Sequence, residues 1–240
     1  MRFIIFILAF SSLNSFSQSL KPVKFGLKSG VNIDNTIINT INGEIPSKHY
    51  IKVGYNAGVS LNVPISKRWS ILNELQYTLE NCEHSYRYIL HSTSSTSKNE
   101  YESKYSYSRN YVRLTPYLSF STSDYLNINF GPSIGYLISN SYSLIESNDI
   151  TSNENIIAVN LNQNNEILNN FEDLDYGLKF SFDIIISNSF VVNPNYYFAI
   201  NKFSEVNSTD PNVDGSAFKF KNSFFGLDFV YIFWIVKGII

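Results

Sequence analysis

The stretch 54–80 reads GYNAGVSLNV, then PISKR, then WSILNELQYTLE, and it alternates with a period of two on both sides of a short turn. In the first run Tyr55, Ala57, Val59, Leu61 and Val63 share one face, opposed by Gly54, Asn56, Gly58, Ser60 and Asn62. In the second run Trp69, Ile71, Leu75, Tyr77 and Leu79 oppose Ser70, Glu74, Gln76 and Thr78. Successive side chains of a strand point to opposite faces, so this pattern predicts strands whose two faces meet different surroundings. Both runs exceed the common strand length of roughly 5–6 residues. They match the roughly 9–11 residues with which a tilted strand crosses a bilayer.

The rest of the chain repeats the unit. Alternating stretches at 23–33, 111–120, 126–138, 174–186, 190–200 and 218–233 bring the expected strands to eight. Their connections run long, short, long, short, long, short, long, the long ones being 34–53, 81–110, 139–173 and 201–217. In outer-membrane barrels short turns lie on the periplasmic side and long loops outside. The small and charged residues share one face and the bulky apolar residues the other, which suits a narrow polar interior and a lipid-facing exterior. A soluble eight-stranded barrel would place its apolar face inside. The expected fold is therefore all-β: an eight-stranded antiparallel up-and-down transmembrane β-barrel in the cell outer membrane, surrounded by outer-membrane lipid. Pro116 is expected at a bulge, because it has no N–H for the ladder. A slip in phase near Asn222 predicts a second bulge.

Charged residues make up 16% of the chain, against an ordinary share of about 25%, and aromatics another 16%, as suits aromatic girdles. The formal net charge of -2 speaks against a nucleic-acid partner, which favours a basic patch. Cys82 is the one cysteine, so no intramolecular disulfide forms. At the N-terminus Arg2, the apolar run 3–10 and small residues Ser15 and Ser17 predict a signal peptide over 1–17, with the barrel domain over 18–240. The apolar run 229–240 is short and interrupted by Lys237.

The inward face is expected to carry Lys24, Lys28, Arg113 and Lys179, with Glu74, Glu80, Asp175, Asp183 and Asp228. Eight strands leave an interior that side chains just fill. With both signs present, these charges are expected to pair as a structural plug rather than to line a pore. Glu74 and Arg113, on consecutive predicted strands, are the expected pair. Leu75 is assigned to lipid and Gln76 to the lumen, so arginine is expected to be tolerated better at 76 than at 75.

Asp210, Asn212, Asp214 and Gly215 match the start of an EF-hand loop, but the twelfth position is Lys221 rather than glutamate, and Asp-Pro and Asp-Gly are turn formers in their own right. Cys82, His84 and His91 are assigned to one polar loop with no standard zinc spacing, and His49 stands apart. No phosphate-binding glycine loop or serine-nucleophile elbow occurs. The reading is a non-enzymatic barrel without cofactor or metal, for envelope structure or surface binding through its loops. The alternatives are a narrow small-solute channel and a barrel enzyme acting on lipids or peptides. The sequence names no external ligand or protein partner.

Three segments carry a family resemblance: FGLKSGVN, then GYNAGVSLNVPISKRWSILNELQY, then NFGPSIGYLIS. Together they resemble the PorT-like outer-membrane β-barrel family, the porin-family proteins common in Bacteroidota, over most of the mature chain and in strand order. The resemblance implies an eight-stranded barrel inserted by the outer-membrane barrel assembly machinery, and it implies no shared reaction. Family chains tend to stop at a terminal aromatic; here Phe233 is followed by WIVKGII.

Overall fold

A computed structural model describes residues 22–34, 37–40, 48–91, 98–149, 172–202, 204–207 and 217–234. The strands, in chain order, are β1 (Lys24–Asp34), β2 (Ile37–Thr40), β3 (Lys48–Tyr50), β4 (Val53–Pro64), β5 (Trp69–His91), β6 (Lys98–Ser121), β7 (Leu126–Asp149), β8 (Leu174–Ile185), β9 (Phe190–Ala199), β10 (Ser204–Asn207), β11 (Ala217–Lys221) and β12 (Ser223–Trp234). Eight of them close a ring in the order β1, β4, β5, β6, β7, β8, β9, β12 and back to β1, every pair antiparallel. The expected signal peptide, the EF-hand-like residues Asp210 to Gly215 and Lys237 lie outside the described residues.

The three short turns share one chemistry. In each, two successive N–H groups donate forward to one carbonyl: Ile65 and Ser66 to Trp69, Thr122 and Ser123 to Leu126, Ile186 and Ser187 to Phe190. The second turn residue is always serine, and its hydroxyl accepts a backbone N–H two residues on: Arg68 to Ser66 at 3.4 Å, Tyr125 to Ser123 at 3.2 Å, Ser189 to Ser187 at 3.4 Å. A hydroxyl that satisfies a turn's own backbone is why serine recurs in such positions.

The outer surface follows the alternation. Leu27, Leu75, Leu114, Leu118, Ile134, Phe180 and Phe229 are exposed on a continuous apolar band. At its short-turn edge lie Trp69, Tyr125, Phe190, Tyr231 and Phe233, with Trp69 on Phe120 at 4.7 Å and Phe190 edge-on to Tyr231 at 5.1 Å. At the opposite edge stand Tyr55, Tyr77, Tyr136 and Tyr176. Amphipathic rings at both margins of an apolar band are the arrangement that places a barrel in a bilayer.

Three expectations are corrected. Residues 81–91 and 98–110 are strand rather than loop: β5 and β6 stay paired from Trp69 and Phe120 out to His91 and Lys98, and β7 accompanies β6 as far as Asp149 opposite Tyr101. Beyond the lipid neither face of the sheet meets hydrocarbon, so the apolar alternation disappears while the ladder continues. Cys82, His84 and His91 therefore belong to a strand, and His84 is in register with His49 of β3. Pro116 makes no bulge. The β6–β7 ladder lapses between Leu114↔Ile134 and Leu118↔Phe130 and resumes in the same register, which would set Pro116 opposite Pro132, both lacking an N–H. The register shifts fall instead at Lys104/Tyr105 and Asn110/Tyr111. At Asn222 the chain does break between β11 and β12, and its side chain turns inward to be fully buried.

Candidate functional site

The lumen is built on inward-facing glycines. Each strand has two neighbours, so an inward glycine leaves a gap across which its neighbours' side chains can meet. Gly135 is in register with Arg113 on one side and Asp175 on the other, and Arg113 Nη2 bonds Asp175 Oδ2 over it at 2.6 Å. Gly30 lies between Asn56 and Asp228, and Asn56 Nδ2 donates to Asp228 Oδ1 over it at 2.8 Å. A Cβ at Gly135 would stand 2.9 Å from Arg113 Nη1, so the gap is already filled.

Two charged tiers cross this interior. In the outer tier Arg113, 1% exposed, holds Glu80 Oε1 with Nε at 3.1 Å and Nη2 at 2.6 Å, as well as Asp175. Its guanidinium lies over the rings of Tyr197 and Tyr111 at 4.4 and 4.6 Å. Arg109 bonds Asp34 at 2.6 Å and approaches Glu80 at 3.8 Å. Asn222 Nδ2 donates to Glu80 and Asp175, tying the two carboxylates together. In the inner tier Lys28 reaches Glu74 at 2.6 Å, Asp228 at 3.0 Å and Asn193 at 2.8 Å. Lys179 donates to Gln76 at 2.9 Å, and Tyr117 OH donates to Glu74 at 3.2 Å. These partners come from β1, β5, β6, β8, β9 and β12, so the bonds span the lumen rather than one strand pair. Buried charges persist where they are paired, as both tiers are, while Arg113 Nη1, Asp175 Oδ1 and Gln76 Nε2 keep no hydrogen-bond partner among the described residues.

Lys28, Glu74, Arg113, Lys179, Asp183 and Asp228 are all buried, as are Glu80 and Asp175; Lys24 lies part-buried at the short-turn end. The expected Glu74–Arg113 pair does not form. Register sets Arg113 beside Gln76 and Glu74 beside Thr115, and Arg113 extends toward the outer tier while Glu74 is engaged by Lys28. The greater tolerance expected at Gln76 is also withdrawn: Gln76 is 2% exposed, holds Lys179, and would be in collision with any Cβ at Gly58. Sequence reasoning missed Arg109, Asp34 and Asn222. The first two were legible: counting back by twos from Arg113 through Tyr111 gives Arg109, and forward from Asn32 gives Asp34.

Above the band, on the part of β5 beyond its membrane crossing, Glu83 is buried and paired with Lys52 at 2.8 Å and with Lys104. Burial alone would raise this carboxyl, but the two ammonium groups prevail and hold it below the usual carboxylate range. Lys104 also sits over the Tyr50 ring at 4.1 Å.

Residues 14–205 match the outer membrane protein beta-barrel domain. The chain belongs to that family. Its place is accordingly the outer membrane, with the short turns toward the periplasm and the extended β5–β7 sheet outside. No curated protein matches it. Among solved structures it is similar to OprG of Pseudomonas aeruginosa, at 10% identity and a TM-score of 0.42 over 90% of this chain and 98% of that one. It is similar also to AlkL in lipid bilayers, at 11% identity and 0.41 over 93% and 97%. A third is Ail of Yersinia pestis in complex with the heparin analogue sucrose octasulfate, at 10% identity and 0.39 over 89% and 100%.

Proposed function

We propose that this family member is a non-conducting, non-enzymatic outer-membrane barrel of the PorT-like kind, whose work is done by the β-structure it carries outside the membrane. The observation that carries the reading is the double tier of charges bonded across the lumen. An open channel would leave Arg109, Arg113 and Lys28 facing water, whereas here each is buried against carboxylates from other strands. The mass of the external structure supports the second half. β5, β6 and β7 run 23, 24 and 24 residues, about twice what a crossing requires. A second sheet, in the order β10, β11, β2, is formed by strands that follow β1 and β9 in the chain.

Planar-bilayer recording tests the reading. The purified barrel should give no discrete current steps in concentrated KCl, and the variant Lys28→Ala/Arg109→Ala/Arg113→Ala, which removes cations from both tiers, should give them. Regular steps from the unaltered protein would favour the channel.

A further inference from the structure

The plug does not fill the whole barrel. At the short-turn end a cavity of about 130 Å³ opens between the rim residues Asp124 and Asn188 and runs up to Glu74. Its walls mix oxygen donors, among them Ser60, Asn62 and Asn127, with apolar Leu72 and Val230. Asp183 stands in this wall and is 8% exposed.

Asp183 differs from the other buried lumen carboxylates. Asp34, Glu74, Glu80, Asp175 and Asp228 each have a lysine or arginine within 3.0 Å. Asp183 has no ion-pair partner among the described residues; Asn193 donates to its Oδ1 at 2.7 Å, and that donor is neutral. Lys24 also borders the cavity, part-buried at its short-turn end, and no ion pair joins it to Asp183. The imbalance is general: among the described residues the buried lumen cations are Lys28, Arg109, Arg113 and Lys179, outnumbered by those five carboxylates and Asp183. Buried carboxylates are ordinarily matched by a cation, and the carboxylate without an ion pair here faces a cavity. Ser60 supplies a second, independent mark. Its hydroxyl borders the same cavity, is 8% exposed, and has no hydrogen-bond partner among the described residues.

We propose that this periplasm-facing cavity binds a small primary alkylammonium ion, its charged head on Asp183 and Ser60 and its stem along Leu72 and Val230. A metal ion fits the donors less well: no group of three or more His, Cys, Asp or Glu among the described residues is placed to share one. A single carboxylate with neutral oxygens suits the three hydrogens of an ammonium group, and the apolar wall suits a short aliphatic chain. A cavity of about 150 Å³ takes up a six-carbon ring, so this one suits n-butylammonium in size. The exposed Asp124 at the mouth adds negative potential on the entry path.

The test is titration of the complete barrel in detergent micelles with n-butylammonium chloride, read by calorimetry at constant ionic strength, with n-butanol as the uncharged control. Saturable binding of the ammonium with at least tenfold weaker binding of the alcohol is expected. Asp183→Asn should weaken ammonium binding tenfold or more while the barrel still shows heat-modifiable mobility. Ser60→Leu, which fills the cavity and leaves every charge in place, should abolish binding, and it decides the matter if Asp183→Asn fails to fold. Equal binding of amine and alcohol, unchanged binding in either variant, or no saturation with the unaltered barrel would overturn the proposal.

Discussion

Replacing Arg113 by methionine removes the centre of the outer tier while keeping most of the side chain's volume. Glu80 loses two hydrogen bonds and Asp175 loses its ion pair. Removing one partner of a buried pair typically costs about 3–5 kcal/mol, because the remaining charge stays buried. Here Asn222 still donates to both carboxylates and Arg109 remains 3.8 Å from Glu80, so the expected loss is near the lower end, about 3 kcal/mol. Arg113→Lys should lose less, keeping the charge but not the fork that serves two carboxylates. The assay is urea unfolding in detergent followed by tryptophan fluorescence from Trp69 and Trp234. Double-mutant cycles add the geometry: Arg113→Met with Glu80→Gln should show coupling above 1 kcal/mol, and Arg113→Met with Glu74→Gln should couple far more weakly, on the scale of about 0.5–3 kcal/mol for residues in direct contact. A loss under about 0.5 kcal/mol for Arg113→Met, the size of an ordinary surface substitution, would refute the reasoning. So would stronger coupling to Glu74 than to Glu80.

Leu75→Arg puts a guanidinium into lipid at about 2–4 kcal/mol, and Gln76→Arg crowds a second cation against Lys179; folded yield should fall for both, and wild-type yield of the second would show spare lumen space. Gly135→Ala should separate Arg113 from Asp175, lowering the unfolding midpoint about as much as Asp175→Asn does; a neutral result would mean the gap is not needed. In a Cys82→Ser background, a cysteine at Ser143, exposed on the external part of β7, should react with an impermeant maleimide on intact cells, whereas one at Thr122 should react only after the outer membrane is breached; the reverse pattern would invert the topology. For the Glu83 cluster the sign follows from a folded-state pKa below the ordinary value of 4.5: its stabilisation is complete above pH 4.5 and is lost as pH falls through the lowered value. Amide exchange across 81–85, corrected for intrinsic rates, should stay flat from pH 8 to 5 and quicken only in more acidic solution; quickening between pH 7 and 6 would assign the protection to other groups.

How far the sequence reaches depends on what its period encodes. A period of two needs only the chain, and its amplitude reports the contrast between lipid and a polar interior; Leu27 against Lys28 and Leu75 against Gln76 are legible for that reason. The turns were legible too, since Ser66, Ser123 and Ser187 act on backbone a few residues away. The reading failed where the contrast ends. Residues 81–91 and 98–110 lose the apolar alternation on leaving the membrane and yet remain strand, because backbone pairing among β5, β6 and β7 needs no apolar face. Partners within the lumen were beyond it as well. The choice of Glu80 and Asp175 for Arg113, and of Glu74 for Lys28, depends on the register between strands far apart in sequence and on glycines at 30 and 135 that open the way across an intervening strand. Asn222 and the cavity beside Asp183 are set by closure of the ring, which brings β12, β8 and β5 around one interior. The chain alone therefore determined which residues turn inward, whereas only the closed barrel decided which of them meet, because that depends on shear and register around all eight strands.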